Sequence, residues 1–251
     1  MTTEPTTFDQ PWMPRENVRI TDVRAIVTAP EGIPLVVVRI DTDQDGLWGY
    51  GCATFTQRWQ AVVAFLDHVR PLLVGRYPGD IEDLLRLVRF TGYWREGPVG
   101  NNALSGIDMA LWDIAGKRAG MPVYELFGGR VRAAADTYLH AEGADFDETT
   151  DHARELMAAG QRHVRIQTGQ QGVGHYGAPP VAGSFVWAKN PAGWRVEDYL
   201  VRTPQLFAHV REALGDGVEL LHDVHSRLTP ATAIALARLL EPYRPFFLKD
   251  V

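Results

Sequence analysis

The run Glu219-Leu220-Leu221-His222-Asp223-Val224-His225 decides the fold. It reads as an apolar strand that ends on a carboxylate and an imidazole. Side chains alternate faces along a strand, so Asp223 and His225 are expected on one side and His222 on the other. Working outward, the chain from about Val131 alternates strand and helix patterns. Strands are predicted from Ala135 to His140, from His163 to Gln167, from Val218 to Asp223 and from near Phe246. Helices are predicted from Glu148 to Ala159, from Val201 to Leu214 and from Thr229-Pro230 to Leu240, the last with proline in its favoured first turn. This alternation predicts a parallel sheet or barrel. Functional groups gather at the carboxyl ends of the strands in such folds. His140, Arg165, Gln167, Asp223 and His225 all fall there.

The N-terminal half has a different pattern. Residues up to about Glu16 are polar and read as a loose tail. Val18 to Val27, Pro34 to Ile40 and Gly46 to Gly51 read as a three-stranded meander, with a tight turn favoured at Asp45-Gly46. Helical spacing follows from Trp59 to Val74 and from Ile81 to Phe90, after the Pro78-Gly79 break. A third helix, Asn102 to Arg118, is rich in small residues, which let another backbone approach closely. Its Asp108 and Asp113 read as capping or ion-pairing groups rather than catalytic ones. Met121-Pro122 and Gly128-Gly129 close the region. The organisation is thus a tail (1–17), an α+β cap domain (18–130) and a β/α domain (131–251).

Composition bounds the partners. A formal net charge of −6 at pH 7 argues against nucleic acid or an anionic membrane surface, because both need a basic face. The single cysteine, Cys52, excludes an internal disulfide and fits a reducing compartment. No apolar run is long enough to span a bilayer, and Met1-Thr2-Thr3-Glu4-Pro5-Thr6-Thr7 lacks the features of a signal peptide. A cytoplasmic location is expected. The Gly/Pro/Ala-rich connection from Thr168 to Arg195 is longer than compact domains ordinarily use. It carries His175, Tyr176, Trp187 and Trp194 away from the strand ends, so a lid or substrate loop is expected.

From Val18 onward the order of elements resembles the enolase superfamily: an α+β N-terminal cap domain followed by a (β/α) TIM-type barrel. The chain is most similar to the D-mannonate dehydratase subgroup, whose relatives include sugar-acid dehydratases and starvation-sensing proteins. The segments that carry the resemblance are Ser105 to Asp113, Gly92-Tyr93-Trp94-Arg95-Glu96-Gly97-Pro98-Val99, Tyr138-Leu139-His140, Val164-Arg165-Ile166-Gln167, His175-Tyr176-Gly177 and Leu221 to Pro230. The resemblance implies Mg²⁺-dependent removal of the proton beside a carboxylate, the metal stabilising the charge that develops. Asp223 would be a metal ligand and His225 the acid that assists departure of the 3-hydroxyl. Tyr176 would be the base. An unperturbed tyrosine titrates near about 10, so this role needs a cationic neighbour, which Arg165 would supply. His140 and Gln167 would bind the sugar acid, an aldonate such as gluconate or mannonate. The family's assembly into symmetric oligomers leaves a homo-oligomer open.

The chain also departs from the family pattern. The family places metal carboxylates at the ends of the third, fourth and fifth barrel strands. Here these positions correspond to Asp223, to Lys249 and to a strand beyond the sequence. A cation at Lys249 would repel Mg²⁺, and Asp250 is expected on the opposite face of its strand. Pro34 stands where mannonate-active relatives have a polar cap residue. The expected barrel is therefore incomplete, truncated after four strands, with an apolar edge at Phe246-Phe247-Leu248 that invites self-association. Two classes of function remain open: a sugar-acid dehydratase, or a truncated non-catalytic relative with a regulatory or interaction role, or no activity. A zinc site built from His222 and His225 is disfavoured, because the two face apart on an extended strand.

Overall fold

The computed structural model describes residues 17–93, 95–168 and 195–251. The chain divides between Val131 and Arg132 into two compact units.

In the N-terminal unit, β1 (Ile20–Thr28), β2 (Leu35–Thr42) and β3 (Trp48–Cys52) form an antiparallel sheet in that order. The β-branched run of β2 suits a pleated strand, and alternation leaves Val36, Val38 and Ile40 wholly buried. Gly46 takes φ +74 in the β2–β3 turn, the left-handed region that glycine enters without a Cβ penalty. Helices α1 (Trp59–Leu73), α2 (Ile81–Phe90) and α3 (Pro98–Ala119) follow, with a short α4 (Val123–Leu126) after them. Residues of α1, α2 and α3 share one hydrophobic core with the buried face of the sheet.

Small residues set how closely α3 approaches the sheet. A Cβ on Gly49 would lie 1.9 Å from the Ala110 carbonyl oxygen, and one on Gly51 would lie 2.0 Å from that of Gly106. Asp113 ties this seam together, accepting from the Tyr50 amide at 2.9 Å and from Lys117 Nζ at 2.8 Å. Asp108 is half-buried on the same helix, and its carboxyl is pushed up first by burial and then by Glu82. Asp113 thus has the structural role expected of it.

The C-terminal unit runs β4 (Tyr138–Gly143), α5 (Phe146–Ala158), β5 (His163–Thr168), α6 (Val196–Leu214), β6 (Glu219–Asp223), α7 (Pro230–Leu240) and β7 (Phe247–Lys249). The strands form one parallel sheet in the order β4-β5-β6-β7. Asp145 caps α5 by accepting from the Glu148 amide at 2.9 Å, and Thr229 caps α7 ahead of Pro230. The four described strands are half of the eight that close a (β/α)₈ barrel. The sheet is nonetheless curled. Neighbouring strands lie about 4.8 Å apart, so the first and fourth would stand roughly 14 Å apart in a flat sheet. Yet the rings of Tyr138 on β4 and Phe247 on β7 approach edge-on with centroids 6.0 Å apart.

β4 begins at Tyr138 rather than Ala135 and continues past His140 to Gly143. Its extent is set by the partner strand, which it pairs from Tyr138↔His163 to Gly143↔Thr168. Along the helix-facing side, Ala141, Val164, Ile166 and Leu220 meet Phe207, Val210, Leu236 and Leu240 in one core. His222 belongs to this layer. Its Nδ1 lies 2.9 Å from the Ile166 carbonyl oxygen, so that nitrogen donates, and Nε2 accepts from the Tyr199 hydroxyl at 2.8 Å. The neutral imidazole satisfies both ring nitrogens, and burial pushes its pKa down to about 4. No described helix is long and apolar enough to cross a membrane.

Two outcomes follow from this packing. Gly51→Ala will destabilise the N-terminal unit by about 1–3 kcal/mol through overpacking against α3. Gly217→Ala, where an added Cβ meets nothing within 4 Å, will be nearly neutral in the same urea titration. The second outcome concerns His222, which titrates near 6.5 when unfolded and about 4 when folded. Between those values the unfolded chain binds more protons. The stability from neutral His222 is therefore complete above pH 6.5 and is lost as pH falls towards 4, a total on the order of 3 kcal/mol. Urea midpoints measured from pH 7 down to 4 will report it, and His222→Gln will flatten the dependence.

Candidate active site

The inner face of the parallel sheet carries a row of polar residues at its carboxyl end. Strand alternation selects them: His140 and Glu142 from β4, Arg165 and Gln167 from β5, and Asp223 from β6 with Lys249 opposite it on β7. Arg165 stands at the centre, completely buried. Its Nη1 donates to Gln167 Oε1 at 2.5 Å and lies 3.0 Å from Glu142 Oε1. Its Nη2 lies 2.8 Å from His140 Nδ1, and its Nε lies 3.3 Å from Asp223 Oδ2. A guanidinium can only donate, so His140 accepts at Nδ1 and carries its proton on Nε2. Burial, followed by the charge of Arg165, pushes the His140 pKa down.

Asp223 is 2% exposed. Burial alone would raise its pKa. The hydrogen bond to His225 and the charges of Arg165 and Lys249 outweigh burial and hold the carboxyl below its ordinary value. Its Oδ2 meets three positively charged or chargeable groups: Arg165, His225 Nε2 at 3.5 Å and Lys249 Nζ at 3.8 Å. Its Oδ1 is buried and has no hydrogen-bond partner among the described residues. An orphaned carboxylate oxygen of this kind fits one ligand position of a hard cation. No group of three or more His, Cys, Asp or Glu that could hold a metal occurs among the described residues. The described residues therefore offer one oxygen ligand, and Lys249 stands beside it.

The predicted residues His140, Arg165, Gln167, Asp223 and His225 lie in this cluster. Tyr176, with the rest of the predicted lid, lies outside the described residues. The expected geometry of His225 is corrected. β6 ends at Asp223, and His225 and Ser226 both take left-handed conformations, φ 57 and φ 53. The imidazole therefore returns to Asp223 through a turn rather than by strand alternation. Asp250 is corrected in the same way. Its φ is 55, and its carboxylate folds back to accept from Lys249 Nζ at 2.9 Å instead of pointing to the opposite face. Glu142 was not singled out from the sequence, because the predicted strand ended at His140. Its spacing of two from His140 was the available signal. Arg165 also pairs with carboxylates, and His140 stacks on Tyr138 with ring centroids 5.6 Å apart.

Comparison with known proteins places the chain in a lineage. Residues 9–128 match the mandelate racemase / muconate lactonizing enzyme N-terminal domain, and residues 148–250 match the enolase C-terminal domain-like model. A D-galactonate dehydratase family member of Catenulispora acidiphila is 63% identical over 96% of this chain and 56% of its own length. Another, from Pantoea ananatis, is 49% identical over 93% of this chain and 60% of its own. A crystal structure of an enolase from Pantoea ananatis with bound D-gluconate and Mg is similar with a TM-score of 0.79, at 49% identity, covering 93% of this chain and 60% of that one. The chain thus spans less than two thirds of the length of these relatives. They carry the D-galactonate rather than the D-mannonate dehydratase name.

The buried cluster yields its own expectation. Arg165→Met removes the buried cation between Glu142 and Asp223, stripping the buried Asp223 carboxylate of part of its compensation, and will cost about 3–5 kcal/mol in denaturant unfolding.

Proposed function

Since the chain belongs to the enolase superfamily, we propose that it serves the Mg²⁺-dependent dehydration of a sugar acid, by loss of the proton beside the carboxylate and of the 3-hydroxyl. The observation that carries this reading is the gathering of Arg165, Asp223, His225, His140 and Gln167 at one end of the parallel sheet. Gluconate and mannonate are the substrates of choice, gluconate the more so because the similar Pantoea ananatis structure holds D-gluconate and Mg. Pro34 weighs against mannonate.

Asp223 would hold the metal through its unpartnered Oδ1. A bound Mg²⁺ supplies positive charge where negative charge develops on the substrate carboxylate. The remaining work falls to side chains. Tyr176 takes the proton from the carbon beside the carboxylate, Arg165 being the cation that favours its phenolate. His225 gives a proton to the departing 3-hydroxyl, so that the C–O bond breaks with release of water. Asp223 Oδ2, 3.5 Å from Nε2, orients that ring. His140, neutral and bearing its proton on Nε2, donates to a substrate hydroxyl, and Gln167 offers its amide alongside. The product is a 2-keto-3-deoxy acid after the enol tautomerises.

One observation favours a second reading. Lys249 Nζ lies 3.8 Å from the proposed ligand, which suits a relative that keeps the fold and has lost the metal. A single assay separates the two. The purified chain is incubated with gluconate, mannonate or galactonate, with and without Mg²⁺, and 2-keto-3-deoxy acid is measured. A dehydratase gives Mg²⁺-dependent product that EDTA abolishes, and His225→Asn lowers the rate by about 10²–10⁴-fold. No product from any of the three aldonates would sink the catalytic reading.

A further inference from the structure

We propose that Lys249 is a built-in cation at the Asp223 carboxylate, one that competes with a divalent ion for this residue and weakens its binding. The proposal rests on the reading of Asp223 as a metal ligand. It concerns how strongly this particular chain would hold the ion.

The argument begins with register. β6 and β7 pair with Asp223 opposite Lys249, so the two side chains rise from neighbouring strands on the same face. Nζ stands 3.8 Å from Oδ2. The carboxylate is almost wholly buried, so the interaction is screened less than at a surface. A cation bound at Oδ1 would share this carboxylate with the ammonium, and the two like charges would repel. Arg165 also faces Oδ2, but it is fully buried and fixed by Gln167, Glu142 and His140. It belongs to the framework of the cluster.

Lys249 differs in two respects. Its side chain is 38% exposed, and the bond to Asp250 Oδ2 at 2.9 Å holds it from the solvent side. That exposure makes substitution there benign for folding, because no buried charge is left unpaired beyond those Arg165 already serves. It also bounds the effect, since water screens part of the repulsion. The left-handed Asp250 places its carboxylate where it anchors the ammonium beside Asp223. Asp250 thus holds the ammonium beside the carboxylate that carries the orphaned Oδ1.

The test is calorimetric titration of the apo protein with MgCl₂, with the Mg²⁺-induced rise in melting temperature as a second readout. Lys249→Met and Lys249→Gln, two charge-free variants, are each expected to bind Mg²⁺ at least about tenfold more tightly than the parent. Lys249→Arg is expected to stay within about twofold of the parent, since it keeps the charge. The gain is expected to vanish when Asp223→Asn is added. Equal, measurable affinity in the parent and both charge-free variants overturns the proposal while leaving the metal reading standing. A gain that persists alongside Asp223→Asn overturns it too, because the ion would then sit elsewhere. No Mg²⁺ binding by any variant overturns both this proposal and the metal reading beneath it.

Discussion

The C-terminal unit is organised around one fully buried guanidinium. A charged group is costly to take out of water unless its donors find acceptors, and Arg165 finds Gln167, Glu142 and His140 at its two Nη atoms and an ion pair with Asp223 at Nε, which has no hydrogen-bond partner among the described residues. Each acceptor comes from a position that strand alternation sends to the inner face. The requirement therefore fixes more than a salt bridge. It selects the tautomer of His140, holds Gln167 in one orientation and, with His225 and Lys249, holds the Asp223 carboxyl below its ordinary pKa against the upward push of burial. Removing water from Arg165 is what makes the neighbouring side chains precise.

Opposite faces of the same strand serve opposite ends. His222 and Asp223 are adjacent in sequence, yet one is a neutral core imidazole bonded to Tyr199 and Ile166, and the other is the carboxylate of the polar rim. The pair shows why residue type alone is a poor guide to role. Period-two alternation separates them at once. In the N-terminal unit the equivalent information lay in residue size. The small residues of α3 indicated a close helix–sheet approach, and Gly49 and Gly51 show how close it is.

What stayed unreadable was set by pairing and by backbone conformation. The end of β4 depends on where β5 begins, which no local pattern in Ala135 to His140 encodes, and so Glu142 was missed. His225, Ser226 and Asp250 adopt positive φ although none is glycine. Sequence patterns assign such residues to ordinary strand or turn geometry, because the left-handed region is disfavoured for residues with a Cβ. That His140, Arg165, Gln167, Asp223 and His225 come together was legible. Their means of approach were not.

That left-handed turn has a bearing on when the site comes into being. The Ser226 amide donates to the Asp250 carbonyl at 2.6 Å, and the Val224 amide donates to that of Lys249 at 2.9 Å. The segment bearing His225 is thus pinned by β7, across the whole of α7. Contacts so distant along the chain form only after the intervening loop has closed, and they belong to the late, non-local part of folding. The His225 imidazole is set in place once β7 has docked beside β6. The contact between Arg165 and Asp223 closes a longer stretch of chain still, so the charge cluster and its histidine both belong to this non-local stage.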